Sequence, residues 1–380
     1  MLDTSRRTAF DDQHNQFRDT VRRFFAAEAV PNLDRWRGEG IIDRGFWRKC
    51  GEAGLLCPTL PEAYGGLGLD FGYNAIVDEE HAYIGCNSGI TLQSDIVADY
   101  ILNYGSEEQK QAYLPGMVTG EVITAIAMTE PGAGSDLQGV RTTARLDGNH
   151  YVINGSKTYI TNGQNADVVI VVAKTDPTQG ARGISLFLVD AGTPGFARGR
   201  NLDKVGQPDA DTSELFFDEV RVPASAMLGE AGRGFYYLMG QLPQERLQIA
   251  VTAQAAAQRA FDLAVAFTRE RKAFGKSILD LQNTKFTLAA LSARLQAGWA
   301  HIDWCLNRHY RRELTAVEAS AAKLLHTELQ WDCCDASLQL HGGAGYMNEY
   351  PIARLWRDAR VARIYGGTSE IMKEVIGRSL

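Results

Sequence analysis

The 380-residue sequence has little of what marks several large protein classes. It lacks a long apolar run. Its longest strongly apolar stretch, VVIVVA at 168–173, is far short of the ~20 residues needed to cross a bilayer. It lacks basic excess. The formal net charge of −7 argues against a dedicated nucleic-acid binder, though not against a local basic patch for a phosphorylated small molecule. It also lacks paired cysteines. Cys50, Cys57, Cys86, Cys305, Cys333 and Cys334 form no C-x-x-C motif, and adjacent Cys333 and Cys334 cannot easily bridge each other. In a chain this large they read as buried free thiols of a reducing compartment. The N-terminal MLDTSRRTAFDDQHNQF has no apolar signal-peptide core, so the expected setting is the cytoplasm, without membrane insertion.

Nucleotide and metal motifs are missing as well. GAGSDL and GLGLDF both fail G-x-G-x-x-G at the last glycine, which argues against a Rossmann dinucleotide site. A P-loop ending in Gly275-Lys276-Ser277 needs a glycine where Glu270 stands. No H-E-x-x-H and no zinc-spaced His/Cys cluster is present.

What is present has a normal globular composition, 45% apolar and 22% charged, with length for two or three domains. Residues 1–121 read as helical, with Phe17, Val21, Phe24 and Phe25 at helical spacing. PEAYGGLGLDFG (61–72) interrupts them as a glycine-rich loop. Residues 122–229 are rich in β-branched residues and turns. There the Asp-Gly of TTARLDGNHYVING predicts a hairpin, while ADVVIVVAK and ISLFLVD predict buried strands. Residues 230–380 return to helix. Leu247, Val251, Phe261 and Val265 mark one face of a long helix with Pro243 near its start, although Gln254 and Gln258 fall on the same face. The expectation is an α+β chain: an N-terminal helical domain, a small β-barrel or sandwich, and a C-terminal four-helix bundle.

Four segments can carry chemistry. In AMTEPGAGSD (127–136), small residues expose backbone N–H groups that can hold an anion or a ring edge, or simply make a turn. In KTYITNG, period two puts Tyr159 and Thr161 on one strand face, able to cover a flat cofactor or merely half-buried. RERKAFGKS puts cations at a helix end, where they suit the dipole or clamp a pyrophosphate with Arg271 as the fork. LQLHGGAGYMNEYPIARLW (338–356) has more glycines than an interhelical turn needs.

Together with NGSKTYITNG, RKAFGK, QLPQERL and IYGGTSEIMKE, these strings resemble the acyl-CoA dehydrogenase family over nearly the whole chain. QLPQERL is most similar to the long-chain branch. The resemblance implies FAD between the β domain and the bundle, and α,β-dehydrogenation of an acyl-CoA thioester. By motif match, Ile126, Ala127, Met128, Thr129, Gly134 and Ser135 contact the flavin from the first loop, and Tyr159, Ile160 and Thr161 from the strand. Tyr159 departs from the tryptophan that many members carry. Arg271, Phe274 and Gln282, with Gln339, Leu340, His341, Gly342 and Gly343, match a surface that reaches a neighbouring subunit's dinucleotide. That implies an obligate oligomer, a homotetramer in most of the family. Thr368, Ser369 and Glu370 match further cofactor contacts.

The family's base is often a glutamate in YEGT. Here the string is Tyr365-Gly366-Gly367-Thr368. In the long-chain and isovaleryl branches the base lies on the long helix, at the position matching Glu245, whose plainer reading is an acid favoured by the helix dipole. Gly366 would then donate its N–H to the thioester oxygen and leave room for Glu245 to approach. Ser135, Tyr236, Arg246 and the Gly366–Gly367 pair match substrate-side positions. The implied partners are acyl-CoA, with a long or branched chain, and electron-transferring flavoprotein. Three alternatives stand beside this reading: an oxidase that uses O2, a non-redox flavin-containing lyase or isomerase, and an acyl-CoA-binding subunit without catalysis.

Overall fold

A computed structural model describes residues 7–380, so the first six residues of the N-terminal segment lie outside it. The chain opens with helices α1 (Asp12–Glu28), α2 (Leu33–Glu39), α3 (Arg44–Glu52) and α4 (Phe71–Tyr83). Next come α5 (Ile90–Leu92), a π-turn over Gln93–Val97, α6 (Ala98–Tyr104) and α7 (Glu107–Thr119). Asp11 caps α1 by accepting the N–H groups of Gln13 and His14. On α1, Val21 and Phe25 are fully buried, while Phe17 and Phe24 pack at the core's edge. The glycine-rich loop is shorter than expected. Asp70 accepts the N–H of Gly72 at 2.7 Å and starts α4 there, so Phe71 and Gly72 are helical. Gly120 ends α7 with a φ of 74°.

The β domain holds β1 (Thr124–Ala127), β2 (Thr143–Asp147), β3 (His150–Thr161), β4 (Val168–Lys174), β5 (Ile184–Asp190), β6 (Phe196–Asn201), β7 (Thr212–Pro223) and β8 (Met227–Leu228). They form one sheet in the order β6-β7-β3-β2-β4-β5-β8, with β1 parallel to β4. Both faces of β4 are covered. Val168, Ile170 and Val172 join the core beneath the N-terminal helices, and Val169, Val171 and Ala173 join the core of the sheet. That double burial explains the unbroken apolar run. The β2–β3 hairpin forms one residue later than Asp-Gly suggests. Asp147 pairs with His150, and the loop is Gly148-Asn149, with Gly148 at a φ of 64°.

The C-terminal bundle comprises α8 (Gly234–Glu270), α9 (Gln282–Tyr310) and α10 (Ala316–His341), with the short α11 (Pro351–Ala359) and α12 (Ser369–Gly377). A two-stranded ribbon of β9 (Lys272–Ala273) and β10 (Lys276–Ser277) links α8 to α9. Helix α8 is buried on most sides rather than along one stripe. Leu247, Ala250 and Val251 pack with Phe71 and Ala75 of α4 and with Ile302 and Cys305 of α9. Gln254 fits this interior because its amide donates to the Leu295 carbonyl at 3.0 Å and its oxygen lies 2.9 Å from His326 Nδ1. Pro243 lies well inside α8, not at its first turn, and removes one helical N–H beside the cavity described below. All six cysteines are free and buried. Among the described residues no helix is long and apolar enough to cross a membrane, and no acid/His/Cys group could hold a metal.

One buried ion pair fixes the loop that follows β1. Lys157 Nζ on β3 reaches Glu130 Oε1 at 2.8 Å and the Met128 carbonyl at 3.1 Å, and Glu130 accepts the N–H groups of Arg141 and Thr142. Both side chains are at most 6% exposed. Glu130→Ala leaves Lys157 buried without its counter-charge, and we expect a loss of about 3–5 kcal/mol in equilibrium urea unfolding. A loss below about 1 kcal/mol would show that water reaches Lys157.

Candidate active site

A cavity of about 560 Å³ opens where the sheet, the N-terminal helices and the bundle meet. Its sheet wall carries Ile126, Met128 and Thr129 at the end of β1, Gly134 and Ser135 in the loop, and Tyr159, Ile160 and Thr161 on β3. Its helical wall is the face of α8 that reads Phe235, Met239, Leu242, Glu245, Arg246, Ile249. Thr91, Leu92 and Ile96, from α5 and the π-turn, face that helix. Gly366 and Gly367 close the third side, together with Ile371, Glu374 and Val375 of α12 and Arg378 at its C-cap.

Glu245 is the chemically unusual group. It is 6% exposed, and burial raises its carboxyl to about 7, against smaller lowering effects from Tyr100 and Arg246. Tyr100 of α6, itself fully buried, donates its hydroxyl to Glu245 Oε1 at 2.9 Å. A carboxylate poised near neutrality in an apolar cavity is suited to proton abstraction. Arg246 points elsewhere. Its guanidinium donates to Ser320 Oγ at 2.9 Å, while its Nε has no acceptor. It lines the cavity and makes no ion pair among the described residues. Burial lowers its pKa.

The glycine pair is held from behind. Buried Lys323 of α10 donates to the Gly367 carbonyl, and its ammonium is pushed down to about 8, first by burial and then by the Arg246 charge. Gly366 and Gly367 adopt φ values of 61° and 96°, a region that penalises side chains. Their N–H groups donate to nothing within the described chain, which leaves two amides free beside the cavity. The space left by the missing side chain differs from expectation. A Cβ on Gly366 would collide with Ile249 Cδ1, one helical turn beyond Glu245. Ile249, not Glu245, fills the position.

The sheet wall also differs from simple strand alternation. Tyr159 has a φ of 61° at a bulge between Lys157 and Ile160, and is 69% exposed. The bulge brings Tyr159, Ile160 and Thr161 to the cavity together, which period two does not allow. Ala127 sits in the sheet core, and Tyr236 is exposed and outside the cavity beside cavity-lining Phe235. Ser369 binds Glu328, Thr368 caps α12, and Glu370 is exposed; none of the three lines the cavity. Arg271, Phe274, Gln282 and the 339–343 segment also lie outside this chain's cavity, with Phe274 90% exposed and His341 stacked on Phe267.

Sequence reading passed over several cavity residues. The α12 face (Ile371, Glu374, Val375, continued by Arg378 at the C-cap) and the α8 face (Phe235, Met239, Leu242, Ile249) both carried a helical spacing that could have been read. Tyr100 and the π-turn left no local signal.

The acyl-CoA dehydrogenase N-terminal, middle and C-terminal domain families match residues 11–121, 125–220 and 232–380. The long-chain specific acyl-CoA dehydrogenase, mitochondrial, of Sus scrofa is 50% identical, covering 100% of this chain and 89% of the relative. The crystal structure of acyl-CoA dehydrogenase from Geobacillus kaustophilus superposes with a TM-score of 0.96 at 48% identity, covering 97% of this chain and 98% of that one. A glutaryl-CoA dehydrogenase from Mycobacterium smegmatis, in complex with FADH2, gives 0.92 at 30% identity, covering 100% and 96%.

The electrostatics of Glu245 predict a pH signature. Its folded value of about 7 exceeds the ordinary 4.5, so the folded state binds more protons than the unfolded chain in that window. Stability from this group is present below that window and is lost as pH rises through it. Relative to the parent, Glu245→Gln should gain on the order of 3 kcal/mol between acid and alkaline ends of that window, read by urea unfolding across a pH series. A constant difference between the two proteins would mean that the carboxyl is not raised.

Proposed function

The chain belongs to the acyl-CoA dehydrogenase family, and we propose that it dehydrogenates long-chain acyl-CoA thioesters to trans-2-enoyl-CoA with Glu245 as the base. One observation carries the assignment: a buried carboxylate, raised to about 7, on the α8 wall of the cavity that the unpartnered Gly366–Gly367 amides also line. The α-carbon of a thioester is a weak acid. Its proton leaves only if a base is within reach and the charge growing on the carbonyl oxygen is stabilised. Glu245 takes the α-proton. The Gly366 N–H donates to the thioester oxygen, and the Arg246 charge nearby favours the same anionic character. Lys323 holds the loop that carries the amide. The apolar walls exclude water, which would otherwise level the base and weaken each of these interactions.

The residues present fit FAD. Gly132 and Gly134 have no heavy atom within 4 Å of where a Cβ would stand, so the loop can be approached at its backbone. Tyr159 is an exposed ring beside Ile160 and Thr161, a wall that offers a flat aromatic face and the Thr161 hydroxyl. Ile126, Met128, Thr129, Gly134 and Ser135 would hold the cofactor from the loop, and Tyr159, Ile160 and Thr161 from the strand. When bound, FAD supplies the two-electron acceptor for the β-hydride. Arg271, Phe274, Gln282 and residues 339–343 would serve a neighbouring subunit's cofactor, which makes a homotetramer part of this reading. Electron-transferring flavoprotein is its electron acceptor.

Long acyl chains are favoured by the apolar wall of Leu92, Ile96, Phe235, Met239 and Leu242, and by the long-chain relative. The expected result is a kcat/KM that rises with chain length across a panel of straight and branched acyl-CoAs. A maximum at a short branched substrate would reassign the substrate. Glu245→Gln should retain FAD and acyl-CoA binding yet reduce its flavin at least ~1,000-fold more slowly in anaerobic stopped flow. Reduction at the parent rate would move the base elsewhere.

A further inference from the structure

Glu245 is the only carboxylate hydrogen-bonded by Tyr100, and Tyr100 supplies the only hydrogen bond to Glu245 among the described residues. Both are buried, at 0% and 6% exposure. Tyr100 comes from α6, immediately after the π-turn whose Ile96 lines the cavity. The bond therefore crosses from the N-terminal helices to the bundle and meets Oε1. Among the described residues nothing donates to the second oxygen, Oε2.

From this geometry we propose that Tyr100 is a positioning residue, whose hydroxyl aims the Glu245 carboxylate and keeps it ionised in an apolar cavity. The inference rests on Glu245 being the base. Bound through Oε1, the carboxylate has one rotational freedom removed, and Oε2 is the oxygen left to receive the α-proton. When that proton arrives, Oε1 becomes the carbonyl oxygen of a neutral acid and still accepts from Tyr100. The Tyr100 proton is not transferred; the proton that Glu245 accepts neutralises its carboxylate, and the electron pair of the broken C–H bond stays with the substrate. Burial, and next the Glu245 charge, raise the tyrosine well above its usual range, so it stays a donor throughout.

Other charges face the same region. On α8 there is Arg246. From the π-turn and α6 come Asp95, whose carboxylate accepts from Asn74, Asp99, contacted by the Gln244 amide, and Tyr104, stacked on Tyr237. Helix α4 contributes Asp78, bonded to Gln248, and His81. Lys323 lies on α10, Glu374 on α12 and Arg378 at its C-cap. Asp136, Tyr159 and Tyr365 also line the cavity. Among the described residues none of these but Tyr100 donates a hydrogen bond to the Glu245 carboxylate.

Tyr100→Phe removes one oxygen and keeps the ring. A hydrogen bond to a charged group is worth about one pKa unit or more, so the acid limb of kcat/KM should move up by about one pH unit, a tenfold loss on that limb that shrinks as pH rises. Tyr104→Phe, one turn along and without this bond, is the control and should not move the limb. A second readout is independent of turnover: the infrared carboxyl band that disappears in Glu245→Gln should titrate about one unit higher in Tyr100→Phe than in the parent. In the Glu245→Gln background, Tyr100→Phe should change neither the spectrum in that region nor the pH dependence of unfolding. If Glu245→Gln is inactive but Tyr100→Phe leaves both the limb and the band in place, the positioning role is wrong and the base stands. A shift of equal size in Tyr104→Phe also overturns it. If Glu245→Gln remains active, the premise itself has failed.

Discussion

The structure depends on keeping one carboxylate dry and still able to ionise. Burial opposes the charge of Glu245, and without compensation such a group would stay neutral well above physiological pH. The surroundings hold it near the midpoint instead. Apolar walls from α8 and the π-turn push it up, and the Tyr100 hydroxyl and Arg246 charge pull it down. A little more polarity would make it a weak base, and a little less would leave it protonated.

The fold is arranged around the helix that carries this group. α8 is flanked by α4, α9 and α10, and its 245–260 stretch is almost fully enclosed. A helix so enclosed presents a side chain with little freedom, which suits a base that must meet a single C–H bond. The opposing loop is fixed by a different device. Lys323 reaches from the bundle interior to the Gly367 carbonyl, and the two glycines take backbone angles that leave their amides unpaired. Glu245 and the Gly366–Gly367 amides are therefore set by separate supports on the same bundle.

Much of this was legible in the sequence where the signal is local or compositional. The α–β–α order follows from composition and periodicity, whereas Glu245 is singled out only through the family resemblance that YGGT and QLPQERL carry. Less legible were features set by tertiary context. Tyr159 reads as an ordinary strand residue, but a bulge at Lys157–Ile160 rotates it into a left-handed conformation. Ile249 reads as core, yet its end occupies the space expected to be open beside Gly366. Pro243 reads as a helix start and lies inside one, tolerated in a helix held by packing on most sides. Tyr100 lies 145 positions from its partner, and nothing in its own stretch announces the bond.

The packing of α4 against α8 also bears on how the molecule comes apart. Phe71, Ala75 and Ala82 share one core with Leu247, Ala250, Val251 and Ile302, although more than 160 residues separate them in the chain. β4 meanwhile contributes alternate side chains to two cores at once. The three sequence segments are thus not three independently melting modules. The first cannot detach without stripping the bundle of its cover, and the middle one cannot unfold without opening the first. Cooperativity of this kind ties the geometry of the cavity wall to the integrity of the whole chain, so even a distant core defect should register there as lost registry between Glu245 and the glycine amides.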